Sequence, residues 1–399
     1  MLTEEDKERF RKELMRELED GDERDDEQIL DLIDAQIQGP MGRSLSLNLR
    51  QKEELRRTLF YSVRRLDILQ ELMDDPAVTE IMVNGYQSVF YEKNGRLIKW
   101  DKAFPSRERY ENILQQVAGR CNRVVNEQRP VCDARLEDGS RVNIVMSPVA
   151  LNGPALTIRR FPEESITMEN LIELGSISRE AADFLKRLVR ARYSILIGGG
   201  TSTGKTTFLN ALSSCIPHDE RIVTIEDTAE LQIQGIDDLV TLEARSANLE
   251  GVREITIRDL IKTALRMRPD RIIVGEVRGE EAEDFLMCLN TGHDGSLGTA
   301  HANSTREMIV RLETMVMMGN AAMSPEVIRR QIVSGIEILV HLERDADGKR
   351  YVSEIAELVG DDAEIRPLYR RFGEGDLEPC EELLGREKLE KYDGAKKNK

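Results

Sequence analysis

The chain has 399 residues and a mass of 45.4 kDa, too long for one compact core, so two or three domains are expected. Its 57 Lys and Arg against 74 Asp and Glu give a formal net charge of -17, which argues against a protein that holds nucleic acid by whole-surface attraction. Aromatic residues make up only 5%, too few for base-stacking platforms, although a local basic groove stays compatible with these totals. The acidity is lopsided: residues 1–34 carry 15 acids and 6 bases, residues 361–399 carry 11 and 9. Five cysteines lie far apart with no C-x-x-C pair, so neither a disulfide framework nor a zinc site is expected, and a reducing cytosol is the default compartment. The opening "MLTEEDKERF" lacks the apolar stretch of a signal peptide, and no apolar run is long enough to span a bilayer.

In chain order, residues 1–20 read as a charged helix, "EDGDERDDE" at 19–27 as an acidic break, and Ile29, Leu30, Ile33 and Ile37 as a second short helix. Two readings of residues 1–49 follow, a solvated and partly disordered extension or a small helical docking module. Leu55, Leu59, Val63, Leu66 and Leu69 recur at helical spacing and predict one amphipathic helix over 50–73. Strand signals follow Asp75-Pro76: "VTEIMVN" at 78–84, a hairpin at 88–100 turning on Asn94-Gly95, another at 135–146 turning on Asp138-Gly139, and "ALTIRRF" at 155–161. Ser106 can cap a helix running to about Cys121. This mixed α/β stretch is expected to end at Phe161-Pro162.

From residue 178 helices alternate with short apolar strands, "YSILIG" at 193–198, "RIVTIED" at 221–227 and "RIIVGEV" at 271–277. That alternation predicts a mainly parallel sheet covered by helices, with ligands bound at the carboxyl ends of its strands. "AEIRPLYRRF" at 363–372 is a candidate partner strand for "YVSEIAELV" at 351–359. The division expected is an acidic extension at 1–49, an α/β domain at 50–165, a second α/β domain at 166–360 and a charged tail at 361–399.

The decisive stretch is Gly199-Gly200-Thr201-Ser202-Thr203-Gly204-Lys205-Thr206, which satisfies G-x-x-x-x-G-K-[ST] between an apolar strand and a helix. Successive N–H groups and a helix N-terminus capture phosphate, Lys205 faces the β- and γ-phosphates, Thr206 ligates Mg²⁺ and Thr207 faces the α-phosphate. Carboxylates close the next strands: Glu226-Asp227, then Glu276. Acids at strand ends beside such a loop hold metal-bound water and activate it. The preferred assignment gives Glu226 the attacking water and Glu276 the Mg²⁺ shell, and the exchanged assignment stays open. His301 closes the glycine-rich "TGHDGSLGTAH", where Gly292, Gly295 and Gly298 demand special backbone, and reads as a γ-phosphate sensor. His218 and His341 read as structural. Arginines in two groups, Arg135, Arg141, Arg159 and Arg160 upstream, and Arg258, Arg266, Arg268, Arg271 and Arg278 around the third strand, make a phosphate clamp plausible without singling out its member. The Met-rich stretch at 306–319 reads as core or subunit contact.

Four boxes stand in order: "GGTSTGKTT", "RIVTIEDTAELQ", "RMRPDRIIVGEVRGEEA" and "NTGHDGSLGTAHANS", preceded by "VTEIMVNG", "DARLEDGSRVN" and "LTIRRF". Over roughly residues 50–360 the chain resembles the secretion ATPases of the type II/IV superfamily, and most of all the CpaF/TadA family that powers Tad (Flp) pilus assembly. The resemblance implies a RecA-like P-loop ATPase domain with a smaller N-terminal α/β domain, preceded here by the helical acidic extension. It implies a homo-hexamer that uses ATP and Mg²⁺, working at the inner face of the cytoplasmic membrane through platform proteins, with no nucleic-acid partner. Carried over box by box, Gly199 through Thr207 bind nucleotide, Glu226, Glu276, His301 and Arg278 are the catalytic set, and Arg135, Arg141, Arg159 and Arg160 lie in segments that approach nucleotide. One departure is visible. The family loop commonly has Gly-Ser where this chain has Ser202-Thr203, and strain follows if that position needs a positive φ. A RecA-like nucleic-acid translocase and a conjugation-type ATPase are the alternatives. A GTPase lacks support because no N-K-x-D string occurs, and a nucleotide-dependent scaffold would use the loop for binding alone.

Overall fold

The structure is a computed structural model that describes residues 2–19, 24–121, 123–160, 166–245, 253–373 and 375–397. It divides into two compact units, Met1–Glu163 and Glu164–Lys399. Part of the acidic break, residues 20–23, and the expected boundary at Phe161-Pro162 lie outside the described residues.

The first unit opens with four helices, α1 (Glu4–Glu19), α2 (Asp26–Gln38), α3 (Pro40–Ser44) and α4 (Leu49–Arg64). Capping boxes of Asp25 with Gln28 and Asn48 with Gln51 start α2 and α4 by satisfying their first N–H groups. Phe10, Leu14, Ile29, Ile33, Ile37, Leu55 and Leu59 close a small core between α1, α2 and α4. The described part of residues 1–49 is therefore helical.

The single helix expected over 50–73 is broken. α4 stops at Arg64, Asp67 takes a left-handed φ of 53°, and only a 3₁₀ turn and a short α5 (Gln70–Met73) follow. The cause is a buried ion pair. Arg109 donates from Nε (2.5 Å) and Nη2 (2.8 Å) to the Asp67 carboxylate, and from Nη1 to Glu8 of α1 (2.9 Å). The fork-to-fork geometry offsets the desolvation of both charges and about 1 kcal/mol or more of backbone strain at Asp67. The hydrophobic stripe is split accordingly: Leu66 and Leu69 leave the helical core and join that of the sheet.

That sheet comprises β1 (Val78–Asn84), β2 (Val89–Lys93), β3 (Arg96–Lys99), β4 (Val131–Arg135), β5 (Arg141–Val145) and β6 (Ala155–Arg159), antiparallel in the order β3-β2-β1-β6-β5-β4. The expected turns stand at Asn94-Gly95, both with positive φ, and at Asp138-Gly139. α6 (Arg107–Arg120), capped by Ser106 as expected, packs Tyr110, Ile113, Leu114 and Val117 into the same core.

The second unit runs α7 (Met168–Glu173), α8 (Arg179–Arg190), β7 (Ile195–Gly199), α9 (Lys205–Ser213), β8 (Ile222–Glu226), β9 (Leu239–Glu243), α10 (Ile257–Ala264), β10 (Arg271–Val277), α11 (Glu281–Leu289), β11 (Leu297–His301), α12 (Thr305–Gly319), α13 (Pro325–Gly335), β12 (Ile338–Arg344), β13 (Arg350–Val359), β14 (Glu364–Arg371), β15 (Leu377–Pro379) and α14 (Glu387–Lys397). The strand order is β15-β14-β13-β12-β7-β11-β10-β8-β9. From β12 to β9 all neighbours are parallel. β7 and β8 are buried throughout, which is why they read as unbroken apolar runs. Beyond β12 the sheet turns antiparallel, and β14 pairs with β13 as expected. The rest of the segment expected as a charged tail supplies β15 and α14, with Leu377, Leu383 and Leu389 in the core.

Replacing Arg109 by Met leaves the Asp67 carboxylate buried and unpaired. Unfolding of the first unit, followed by the fluorescence of Trp100, the chain's single tryptophan, is expected to lose about 3–5 kcal/mol in a denaturant titration. A loss under 1 kcal/mol would contradict the role given to this pair.

Candidate functional site

The strand order assembles the site. β7 and β8 are consecutive strands, yet β11 and β10 are inserted between them. The carboxyl ends of β7, β11, β10 and β8 therefore stand in a row carrying Gly199, His301, Glu276 and Glu226. His301 lies opposite Gly199 in the register of β11 and β7.

The loop after β7 turns on Gly204 at φ 91° and delivers Lys205 into the first turn of α9. Ser202 sits at φ 59°, so the strain foreseen from its departure from glycine is present. Its carbonyl accepts from Arg350 Nε of β13 at 3.0 Å. Lys205 is only 8% exposed. Its ammonium donates to the Gly199 (3.2 Å) and Gly200 (2.9 Å) carbonyls and lies 3.3 Å from His301 Nδ1. Burial lowers the Lys205 pKa, and the Glu276 carboxylate opposes that shift.

His301 continues the chain of contacts. Its Nε2 is 2.7 Å from Glu276 Oε1. Arg278 Nε donates to Glu276 Oε2 at 2.6 Å and its Nη1 to Asp227 at 3.3 Å. Burial first, then the Lys205 ammonium, pushes the His301 pKa below its ordinary value. A neutral ring can accept at Nδ1 from Lys205 while its Nε2 faces Glu276 Oε1.

Glu226 is set differently. It is 3% exposed, and Oε1 accepts the N–H groups of Glu230 (2.8 Å) and Leu231 (2.9 Å). Oε2 is buried with no hydrogen-bond partner. Burial pushes its pKa up to about 7, and the two N–H donors oppose the shift. Gly275 makes this position possible, because a Cβ there would come within 2.8 Å of Glu226 Cγ.

An open cleft of about 490 Å³ lies beside the loop and the His301 end of this row, lined by Gly200, Thr201, Arg278, His301, Asn303 and Arg311 among others. Thr203 is buried against the Gly200 carbonyl, which its hydroxyl donates to, and Thr206 and Thr207 are half-buried in α9. Among the described residues no group of three His, Cys, Asp or Glu side chains could hold a metal ion unaided. The donors present, the Thr206 hydroxyl and Glu276, suit a hard cation bound mainly through water and phosphate oxygens.

The other arginines sort by geometry. In the first unit Arg135, Arg141 and Arg159 stand directly opposite one another on β4, β5 and β6, forming one row, while Arg160 instead donates to the Asp75 (2.5 Å) and Val78 (3.1 Å) carbonyls. In the second unit Arg271 is fully buried at the amino end of β10, paired with Glu220. Arg258 pairs with Asp284. Gly292 and Gly295 do have positive φ, whereas Gly298 does not and instead leaves room for the Phe285 ring. Arg311, Asn303 and Arg350 escaped the sequence reading. Arg311 falls in the stretch read as core or subunit contact, and no local pattern marks Arg350.

A phosphate-type loop at the carboxyl end of a parallel sheet, with carboxylates closing the neighbouring strands, defines a P-loop ATPase of RecA-like build. Residues 64–368 match the family described as type II/IV secretion system protein, and the chain belongs to that family. A Mycobacterium tuberculosis protein named for conjugal transfer is 36% identical over 297 residues, covering 73% of this chain and 84% of the relative. The type IV secretion system protein VirB11 of Brucella suis is 32% identical over 322 residues, covering 73% and 88%. The crystal structure of the pilus retraction motor PilT with bound ADP covers 84% of this chain and 88% of its own, with a TM-score of 0.54 and 18% identity, a likeness of fold.

The Glu226 environment has a thermodynamic signature. Its carboxyl titrates near 7 when folded and near its ordinary 4.5 when unfolded, so the folded state holds the extra proton between those values. Stability falls as pH rises through that window, and the cost is fully present above about pH 7. Glu226→Gln is expected to stabilise the protein more at pH 8 than at pH 5, by up to about 3 kcal/mol. Denaturant titrations at the two pH values check this, and equal effects at both would refute it.

Proposed function

We propose that this chain is a hexameric motor that hydrolyses ATP, with Mg²⁺ at the phosphates, to drive Tad (Flp)-type pilus assembly or related type II/IV secretion through an inner-membrane platform protein. The observation that carries it is the convergence of four separated boxes, Gly199–Thr207, Glu226, Glu276–Arg278 and His301, on one edge of one sheet. The loop N–H groups, the α9 N-terminus and Lys205 bind phosphate, exchanging the Gly199 and Gly200 carbonyls for phosphate oxygens. Thr206 and Glu276 hold Mg²⁺, which supplies charge neutralisation when bound.

Glu226 takes the proton of the attacking water. Both acids have a buried oxygen without a hydrogen bond, but Glu226 has no cation or imidazole beside it and its carboxyl is pushed up to about 7, whereas Glu276 faces His301 and accepts from Arg278, which favours Glu226. His301 senses the γ-phosphate through Lys205, and Arg278 stabilises transferring charge. Arg135, Arg141 and Arg159, the arginines that the family resemblance puts near nucleotide, form one row within the first unit. Arg160, already spent on carbonyls of its own unit, is the weaker member of that set. No helix among the described residues is long and apolar enough to cross a membrane, which suits attachment through partners. A conjugation-type motor is the second reading, favoured by relatives named for conjugal transfer and type IV secretion.

Lys205→Ala is expected to abolish ATP binding. Glu226→Gln is expected to retain binding while hydrolysis falls at least about 100-fold. Normal hydrolysis by Glu226→Gln would overturn the base assignment, and a scaffold predicts that this variant keeps every activity. Mass measurement with a non-hydrolysable ATP analogue is expected to show a hexamer, and a strict monomer would sink the ring. DNA-stimulated hydrolysis would favour a nucleic-acid translocase instead.

A further inference from the structure

We infer that His341, which lies outside every motif, is a positioning residue that holds His301 against Lys205 and Glu276 by fixing the backbone of Ala302. The inference rests on the role proposed above for His301.

His341 lies in the middle of β12, beside β7, and is 3% exposed. Its Nε2 is 3.3 Å from the Ala302 carbonyl, and its Nδ1 is 2.7 Å from Ser353 Oγ on β13. A carbonyl can only accept, so Nε2 carries a proton toward Ala302, while Nδ1 meets Ser353 Oγ, whose own hydroxyl donates to the His341 carbonyl at 3.2 Å. Glu343 Oε1, 3.5 Å from Nδ1, is too distant to displace that hydroxyl. A buried imidazole with a polar partner at each nitrogen is held in one orientation.

Ala302 directly follows His301, so its peptide sets where the His301 ring can point. That residue is gripped from two sides. Its N–H points to the Gly199 carbonyl at 3.4 Å, the same carbonyl that accepts from Lys205, and its own carbonyl faces His341. Three residues on, Glu354 of β13 accepts the Thr305 hydroxyl at 2.5 Å and fixes the start of α12. The segment from His301 to Thr305 is thus braced by β12 and β13, strands that contribute no group to the cleft lining given above. Releasing the His341 contact lets the Ala302 peptide rotate, and His301 then loses its simultaneous approach to Lys205 and Glu276.

The test uses the full chain with His341→Leu, His341→Gln, Ser353→Ala, His301→Ala and the double variant His301→Ala/His341→Leu. His341→Leu should lower kcat on the order of tenfold while KM and ATP-analogue affinity stay within about threefold. His341→Gln, which can still donate to the Ala302 carbonyl, should recover most of that loss. Ser353→Ala should act in the same direction more weakly, and remains informative if His341→Leu fails to fold. In the His301→Ala background, His341→Leu should do no further harm, because the two act as one unit.

A second readout needs no hydrolysis. Diethylpyrocarbonate labelling read by peptide mass spectrometry should show His301 reacting several-fold faster in His341→Leu, with His218 and His293 unchanged. An unaltered His301 labelling rate overturns the inference, as does an undiminished kcat or an equal loss in the His301→Ala background. Absence of ATP hydrolysis in the wild type would instead overturn the motor reading, and the labelling result would still decide the role of His341.

Discussion

An ammonium group buried as deeply as that of Lys205 must be surrounded by acceptors, and the architecture of the second unit follows from supplying them. Two come from the loop itself, the carbonyls of Gly199 and Gly200, and the third is the His301 imidazole. None is a carboxylate. A direct ion pair would hold the lysine more tightly and would compete with phosphate for it. Neutral acceptors satisfy the ammonium while leaving its charge available, and Glu276 is kept one step back, behind His301. The arrangement from Lys205 through His301 and Glu276 to Arg278 places alternating donors and acceptors along one edge, so a change at either end is felt at the other.

Glu226 stands beside this chain of contacts but outside it. Its carboxylate is neither paired with a cation nor open to water, and only two N–H groups of the following turn offset its burial. The two acids therefore divide by environment. The one beside Arg278 and His301 orients other groups, while the one in the apolar setting is pushed up to about 7 and can exchange a proton. Separation of two carboxylates by surroundings alone is a common way for one site to do both kinds of work. Gly275, one residue before Glu276, links them sterically, because the strand that presents one acid must lack a side chain where it passes the other.

Much of this was legible in the chain because the chemistry is local. The loop from Gly199 to Thr206 is contiguous, the acids close recognisable apolar strands, and the hairpin turns at Asn94-Gly95 and Asp138-Gly139 follow from two residues each. What escaped depends on contacts distant in sequence. The stripe from Leu55 to Leu69 has helical period, yet it is cut at Asp67 because Arg109, 42 residues away, needs that carboxylate. Periodicity reports that residues will be buried, and here they are buried in two different cores. The Met-rich helix α12 was read for its apolar face, and its polar face carries Arg311 into the cleft. The charge imbalance also takes on a physical sense. The acidic N-terminal helices bury a core of their own, and Glu8 on α1 shares in the Arg109 pair, so this segment is tied by charge to α6, the helix that packs into the core of the sheet.

Ser202 shows why motif and frame must be considered together. A non-glycine residue at φ 59° costs roughly 1–3 kcal/mol, and such a loop persists only if its surroundings hold it. The holding group is Arg350, which donates to the Ser202 carbonyl from the first residue of β13. The same strand supplies Ser353, which orients His341, and Glu354, which fixes Thr305. One antiparallel strand thus braces the phosphate loop at its start and the His301 segment at its middle. Nothing in β13 resembles a nucleotide motif, because its work is done through carbonyls and second partners, where many sequences could serve. Motif residues are constrained by the chemistry of phosphate and water, whereas brace residues are constrained only by the geometry of the residues they hold. The antiparallel extension of the sheet is therefore the part of the active edge that the sequence leaves unmarked.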